Sequence, residues 1–247
     1  MDYTLAEYIP ETFDLLAFNG AIDKLLAMGY PAQIADFVWR PGQHQRGLVV
    51  DKRRGNLLKL DRHKYVKVAV HGLEEIPSKQ RKALYLRAFD EDDGAPGDKQ
   101  FIGENYANVD TEFLLVDLSL YSQLVALKDE LFPGSGEGAG ASDSWDGLGD
   151  EPLSTRSYMQ VYQDVRRAVD LCHQDGVIKD PVALDPAKYI RPSPALGRTL
   201  QQQRRGGKQV FLLTNSYYDY TRVVMTFLLG EDWVRDRGLH SISARFT

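Results

Sequence analysis

Lys208-Gln209-Val210-Phe211-Leu212-Leu213-Thr214-Asn215-Ser216 is the stretch that decides the fold. Its apolar centre predicts a short strand of the kind buried on both faces in a parallel sheet. Thr214-Asn215-Ser216 leads out of that strand, and residues 220–229 return to a helical pattern. Strand, polar turn and helix in that order make half of a βαβ unit, so the expected class is α/β. Ligands of open α/β sheets sit beyond the carboxyl ends of the strands. That rule makes Thr214 and Asn215 candidate site residues, with Ser216 beside them. The free N–H groups of the helix that follows favour an anion, and phosphate is the natural one. Turn formation and helix capping explain the same tripeptide equally well, and both readings stand at this point.

Upstream of the strand, residues 196–205 are helix-like and break at Gly206-Gly207, after a connection punctuated by Pro181, Pro186, Pro192 and Pro194. Before it lies a strongly amphipathic helix, capped by Ser154 or Thr155 and stopped at Gly176, with Tyr158, Val161, Tyr162, Val165, Ala168, Val169 and Cys172 as its apolar stripe. Residues 133–150 are rich in Gly and Ser and predict a flexible surface loop. Residues 111–131 are helix-like and follow an acidic loop at 89–97. Toward the N-terminus, residues 47–51 and 57–60 read as a hairpin about the basic turn Lys52-Arg53-Arg54-Gly55-Asn56, and 65–70 as a further strand ending at His71-Gly72. Residues 13–28 form a helix that ends at Gly29.

The chain has 247 residues, 43% of them hydrophobic, and a formal charge of −5. The acidic balance argues against general affinity for nucleic acid or an anionic membrane. Its apolar runs are far shorter than the ~18 residues a bilayer span needs, and the first residues resemble no secretory signal. The single cysteine, Cys172, rules out an internal disulfide and suits a reducing, cytoplasmic setting. His44, His63 and His71 lack metal-type spacing, and the basic turn at 52–54 reads as a solvated hairpin tip.

Several motifs carry a resemblance. Met1-Asp2-Tyr3-Thr4-Leu5-Ala6, Leu26-Ala27-Met28-Gly29-Tyr30-Pro31, Arg46-Gly47-Leu48-Val49, Gly55-Asn56-Leu57-Leu58-Lys59, His71-Gly72, Gln163-Asp164-Val165-Arg166 and Phe211-Leu212-Leu213-Thr214-Asn215-Ser216 occur in one order along the chain. In that order and at those spacings they resemble the cytosolic purine 5′-nucleotidases of the haloacid dehalogenase (HAD) superfamily. The likeness covers nearly the whole chain and is weakest over residues 78–154.

That resemblance implies a three-layer HAD-like core, incomplete here, from residues 1–72 and 196–247, with a large cap inserted at 73–195. It implies Mg²⁺-dependent hydrolysis of nucleoside 5′-monophosphates through an aspartyl-phosphate. Asp2 matches the general acid and base, and its backbone carbonyl matches a metal ligand. The nucleophilic Asp should lie two residues earlier, outside these 247 residues. Thr214 matches the group that hydrogen-bonds a transferring phosphoryl oxygen, with Asn215 beside it. A charge-balancing Lys and an acidic metal-site pair should follow, yet residues 230–247 offer Asp232 and Asp236 without a Lys or an apolar strand. The chain as written is therefore expected to be inactive.

Arg166, Asp170 and His173 are spaced i, i+4 and i+7 on one helix face, and Lys179 follows the helix stop. The resemblance implies that these four recognise the base and the nucleotide; a solvated ion-pair stripe is the plainer reading. Gln174 stands where purine-specific members have an aromatic, and their base-stacking aromatic is missing from residues 101–110, although Tyr106 is close. The alternative to an enzyme is a non-catalytic HAD-like nucleotide-binding or regulatory module. The reading admits a homo-oligomer.

Overall fold

The computed structural model describes residues 1–85, 101–134, 152–234 and 239–243. The acidic stretch at 89–97, residues 135–150 of the expected loop, and Asp236 lie outside the described residues. In chain order the elements are α1 (Phe13–Ala27), β1 (Leu48–Asp51), β2 (Asn56–Leu60), β3 (Val66–His71), β4 (Glu74–Glu75), α2 (Ser78–Tyr85), β5 (Tyr106–Asn108), α3 (Leu114–Leu131), α4 (Tyr158–Gln174), α5 (Lys179–Leu184), α6 (Pro186–Tyr189), α7 (Pro194–Arg205), β6 (Val210–Thr214), α8 (Tyr218–Leu229) and β7 (Leu239–Ser243). Helix and sheet together make this an α/β chain. Among the described residues no helix is long and apolar enough to cross a membrane.

Two compact units divide the chain, Met1–Ala17 with His173–Thr247 and Phe18–Cys172. Strands β1 to β5 all belong to the second unit and form one antiparallel sheet in the order β4-β3-β2-β1-β5. Residues 18–72 therefore cluster with the segment that follows them, because antiparallel pairing ties each strand to near neighbours. The expected hairpin is present, with Asp51 opposite Asn56. One face of this sheet buries Val49, Leu58 and Ala69 with Ile76, Tyr85 and Phe101. Gly72, at φ 55°, turns β3 into β4 where a Cβ would meet the backbone of Ala126 at 3.0 Å, so glycine is required there.

Helix α3 is buried nearly all round, from Val116 to Lys128. Helix α4 buries Tyr158, Val161, Tyr162, Val165, Ala168, Val169 and Cys172, the stripe read from the sequence. Its start corrects the sequence reading. Ser157, rather than Ser154 or Thr155, caps α4: the Gln160 N–H donates to Ser157 Oγ at 3.2 Å while the Ser157 N–H donates to Gln160 Oε1 at 2.7 Å. This is a capping box. Ser154 and Thr155 are held in the preceding turn, where the Thr155 hydroxyl donates to the Pro152 carbonyl at 3.0 Å and Lys128 Nζ donates to the carbonyls of Leu153 and Ser154. Ser157→Ala is expected to cost about 0.5–2 kcal/mol in urea unfolding, with Ser154→Ala close to neutral.

In the first unit β6 pairs in parallel with β7, Val210 opposite Leu239 and Thr214 opposite Ser243. Beyond residue 229 the strand that forms, residues 239–243, has no continuous apolar run, and its pairing rests on backbone hydrogen bonds to β6. One expectation is corrected here, for β6 is not buried on both faces: Phe211 and Leu213 are 59% and 62% exposed, while Leu212 and Thr214 are buried. Alternate residues of a strand face opposite ways. Leu212 joins a cluster with Met225 and Trp233, against which Met1, Leu5, Leu228 and Leu229 pack.

Candidate functional site

The site in the first unit is built from opposite ends of the chain. Beyond β6, the hydroxyl of Ser216 donates to Asp2 Oδ2 at 3.1 Å, across a sequence separation of 214 residues. The N-terminal segment is held for this purpose by backbone bonds: the Ile9 N–H donates to the Tyr189 carbonyl and the Arg191 N–H to the Glu7 carbonyl, each at 2.9 Å. Ahead of it the chain turns tightly, and the Met1 carbonyl accepts the N–H groups of Thr4, Leu5 and Ala6. Tyr3, next to Asp2, sits at φ 54°. That region is strained for an aromatic residue, and such strain gathers at functional sites.

Asp2 has a second donor. The Tyr8 hydroxyl donates to Asp2 Oδ1 at 2.6 Å, and the Tyr8 and Tyr220 hydroxyls lie 3.1 Å apart. A phenol has one proton. Since Tyr8 gives its proton to Asp2, Tyr220 must donate to Tyr8. Burial, and after it the Asp2 charge, push the Tyr8 phenol far above its usual range; burial does the same to Tyr220. Both therefore stay protonated as donors. Lys179 joins the same cluster, with Nζ 5.6 Å from the Tyr217 ring centre and 6.0 Å from that of Tyr220.

Thr214 is buried at the end of β6, where Oγ1 accepts the Ser216 N–H at 3.1 Å. An accepted bond leaves the Thr214 hydroxyl proton to be donated, which suits a phosphoryl oxygen. Asn215 is exposed beside it. Thus Asp2, Thr214, Asn215, Ser216 and Lys179 belong to one unit, and Tyr8 and Tyr220 complete a cluster without having been singled out by the sequence. Ser216 was visible in the polar turn. The two tyrosines carry no local signal, since their role depends on contacts 6 and 212 residues apart.

Arg166 and Asp170 lie in the second unit, on α4. Arg166 Nη2 donates to Asp170 Oδ1 at 2.7 Å, and Nη1 donates to Oδ2 of Asp117 on α3. Asp117 is 1% exposed, and burial pushes its carboxyl up to about 7 against the opposing pull of Arg166. Burial works against the Arg166 charge, but Asp117 and Asp170 hold its pKa above the ordinary value. His173, on the same helix, falls in the first unit and is half-buried. A cavity of about 420 Å³ in the second unit, lined in part by Arg46, Asp61 and Lys64, contains none of the residues anticipated from sequence.

The Asp117 shift has a stability consequence. Unfolded, its carboxyl titrates near ~3.9; folded, near 7. Between those values the folded state holds a proton that the unfolded state lacks, so stability falls as pH rises through that interval and stays low above it. Relative to Asp117→Asn, the wild-type chain is expected to lose roughly 2–3 kcal/mol between about pH 4 and about pH 7 in urea unfolding.

At the end of β6, then, Ser216 meets the N-terminal Asp2, and Thr214 lies beside Ser216. The model of the 5′ nucleotidase family matches residues 1–242, and the chain belongs to that family. The 5′-nucleotidase domain-containing protein 2 of Rattus norvegicus is 27% identical over 243 residues, which is 94% of this chain and 38% of that relative. The chain thus spans well under half the length of the relative it matches.

Proposed function

We propose that the chain carries the acid–base and phosphate-binding residues of a Mg²⁺-dependent, HAD-type 5′-nucleotidase site. In it the phosphoryl group of a nucleoside 5′-monophosphate passes to an Asp carboxylate immediately before Met1, outside these 247 residues, the nucleoside leaves as its 5′-alcohol, and water then releases phosphate. The observation that carries this reading is the meeting of Asp2 with Ser216 beside Thr214, from opposite ends of the sequence. Asp2 acts as general acid to the leaving nucleoside oxygen and then as general base toward water. Tyr8 and Ser216 hold its carboxylate in place, one on each oxygen. Thr214 donates to a phosphoryl oxygen, and Lys179 supplies positive charge to the same cluster.

The Asp2 backbone carbonyl would offer Mg²⁺ a hard oxygen donor of the kind it prefers, beside substrate phosphate and water, and leaves the Asp2 carboxylate to its acid–base role. Among the described residues no group of three His, Cys, Asp or Glu side chains could hold a metal ion; Asp2 is the ligand this reading assigns. The ion, when bound, neutralises charge on the phosphoryl oxygens. For Arg166 and Asp170 the reading keeps the nucleotide-recognition role carried over from the resemblance.

Phosphate release from purine and pyrimidine nucleoside 5′-monophosphates, with the 3′-monophosphates as controls, tests this reading. Turnover confined to the 5′ esters and dependent on Mg²⁺ is expected once an Asp is placed immediately before Met1, and none is expected from the 247 residues alone. Equal turnover of the 3′ esters would contradict it.

A further inference from the structure

The cluster around Arg166 holds one charge too many. Two carboxylates engage a single guanidinium, Asp117 through Nη1 and Asp170 through Nη2. With both ionised the cluster is negative, which disfavours an anionic ligand at Arg166. The two acids are not equivalent. Asp170 is 52% exposed and well solvated, whereas Asp117 is 1% exposed. Moreover Asp117 Oδ1 is buried and has no hydrogen-bond partner among the described residues. An ionised carboxylate with an orphaned buried oxygen is costly, so Asp117 is the member of the pair for which taking up a proton relieves a penalty.

We propose that Asp117 is a built-in competitor for Arg166: ionised, it holds the guanidinium against α3, and protonated, it releases Arg166 to a nucleotide. The proposal rests on the reading that Arg166 meets the nucleotide, and adds the residue that controls when it can. The groups facing Asp117 are consistent with it. From α4 these are Arg166, Asp170 and the Tyr162 phenol, which burial pushes up to about 12 and so keeps neutral. Lys52, from the β1–β2 turn, lies 5.6 Å over the Tyr162 ring. Among the described residues Arg166 is the cation that bonds the Asp117 carboxylate. Burial of Asp117 sets the exchange near neutral pH, with Arg166 freed on the acid side.

The test is calorimetric binding of guanosine 5′-monophosphate to the whole chain, comparing wild type, Asp117→Asn and Asp117→Leu at about pH 6 and about pH 8. Taking the ratio of affinities at each pH cancels the titration of the ligand's own phosphate. Both variants are expected to bind about tenfold more tightly than wild type near pH 8 and to converge with it near pH 6, since one pH unit beyond the midpoint is a tenfold competition. Variants that bind more weakly than wild type, or by the same ratio at both pH values, would overturn the proposal, because a merely structural Asp117 gives no pH-dependent ratio. Thermal unfolding of each variant checks that it folds, and the isosteric Asn decides should Leu fail. Arg166→Ala separates the two layers of inference. If it abolishes binding while the Asp117 variants change nothing, only the competitor role falls. If no form binds the nucleotide at either pH, the nucleotidase reading falls as well.

Discussion

In a chain that carries the nucleophilic Asp immediately before Met1, Asp2→Asn is expected to lower phosphate release from nucleoside 5′-monophosphates by about 10²–10⁴-fold, the usual contribution of a general acid and base. The amide is nearly isosteric with the carboxylate and still offers an oxygen to one of its two hydroxyl donors, Tyr8 or Ser216. What it cannot do is take a proton and return it. The loss should therefore fall on kcat with KM little changed, and the thermal midpoint should move far less than in a core variant. Steady-state kinetics with a coupled phosphate assay gives the answer; a kcat within about threefold of wild type would remove Asp2 from the chemistry.

Asp51→Ala should produce the largest loss of stability, about 3–5 kcal/mol in urea unfolding. Asp51 is fully buried at the end of β1. Its Oδ1 accepts the backbone N–H groups of Arg53 and Arg54, and Oδ2 accepts Arg54 Nη1 at 3.1 Å and the Tyr85 hydroxyl at 2.9 Å. The chain of contacts continues from Tyr85 to Asn56, then to His71, Asp129 and Tyr158. Removing the one carboxylate leaves the hairpin turn and a buried phenol without their acceptor, a cost that burial makes larger than a surface pair could. Asp51→Asn, which keeps one acceptor oxygen, is expected to lose about half as much. An Asp51→Ala chain within about 1 kcal/mol of wild type would mean that water replaces these contacts.

Local patterning in the sequence accounts for much of this fold. The α4 stripe is complete from Tyr158 to Cys172 because a helical period needs only one chain segment to be read. The β1–β2 hairpin was likewise local, its turn marked by Gly55. The Asp51-to-Tyr158 network was not legible, since its links join residues as far as 58 positions apart and each member reads singly as turn, strand or surface chemistry. The solvated basic tip expected at 52–54 is partly such a case, with Arg54 drawn onto Asp51. β7 escaped because a strand formed by parallel backbone pairing needs no apolar run of its own. The exposed Phe211 and Leu213 show that hydrophobicity of a strand does not say which of its faces is covered.

The site divides in the same way. Thr214 and Ser216 follow from the rule for strand ends, and Asp2 from its motif, but their meeting is a tertiary fact. Tyr8 and Tyr220, which hold Asp2, and Asp117, which engages Arg166, looked like ordinary core and helix residues.

The central claim is that Asp2 and Thr214 frame a phosphate, and the most direct measurement is a crystal structure of the chain with Mg²⁺ and orthophosphate. The expected result is a phosphate oxygen accepting the Thr214 hydroxyl, with the Asp2 carboxylate on the same side of the anion. A fully occupied phosphate elsewhere, with the Thr214 hydroxyl unengaged, would contradict it.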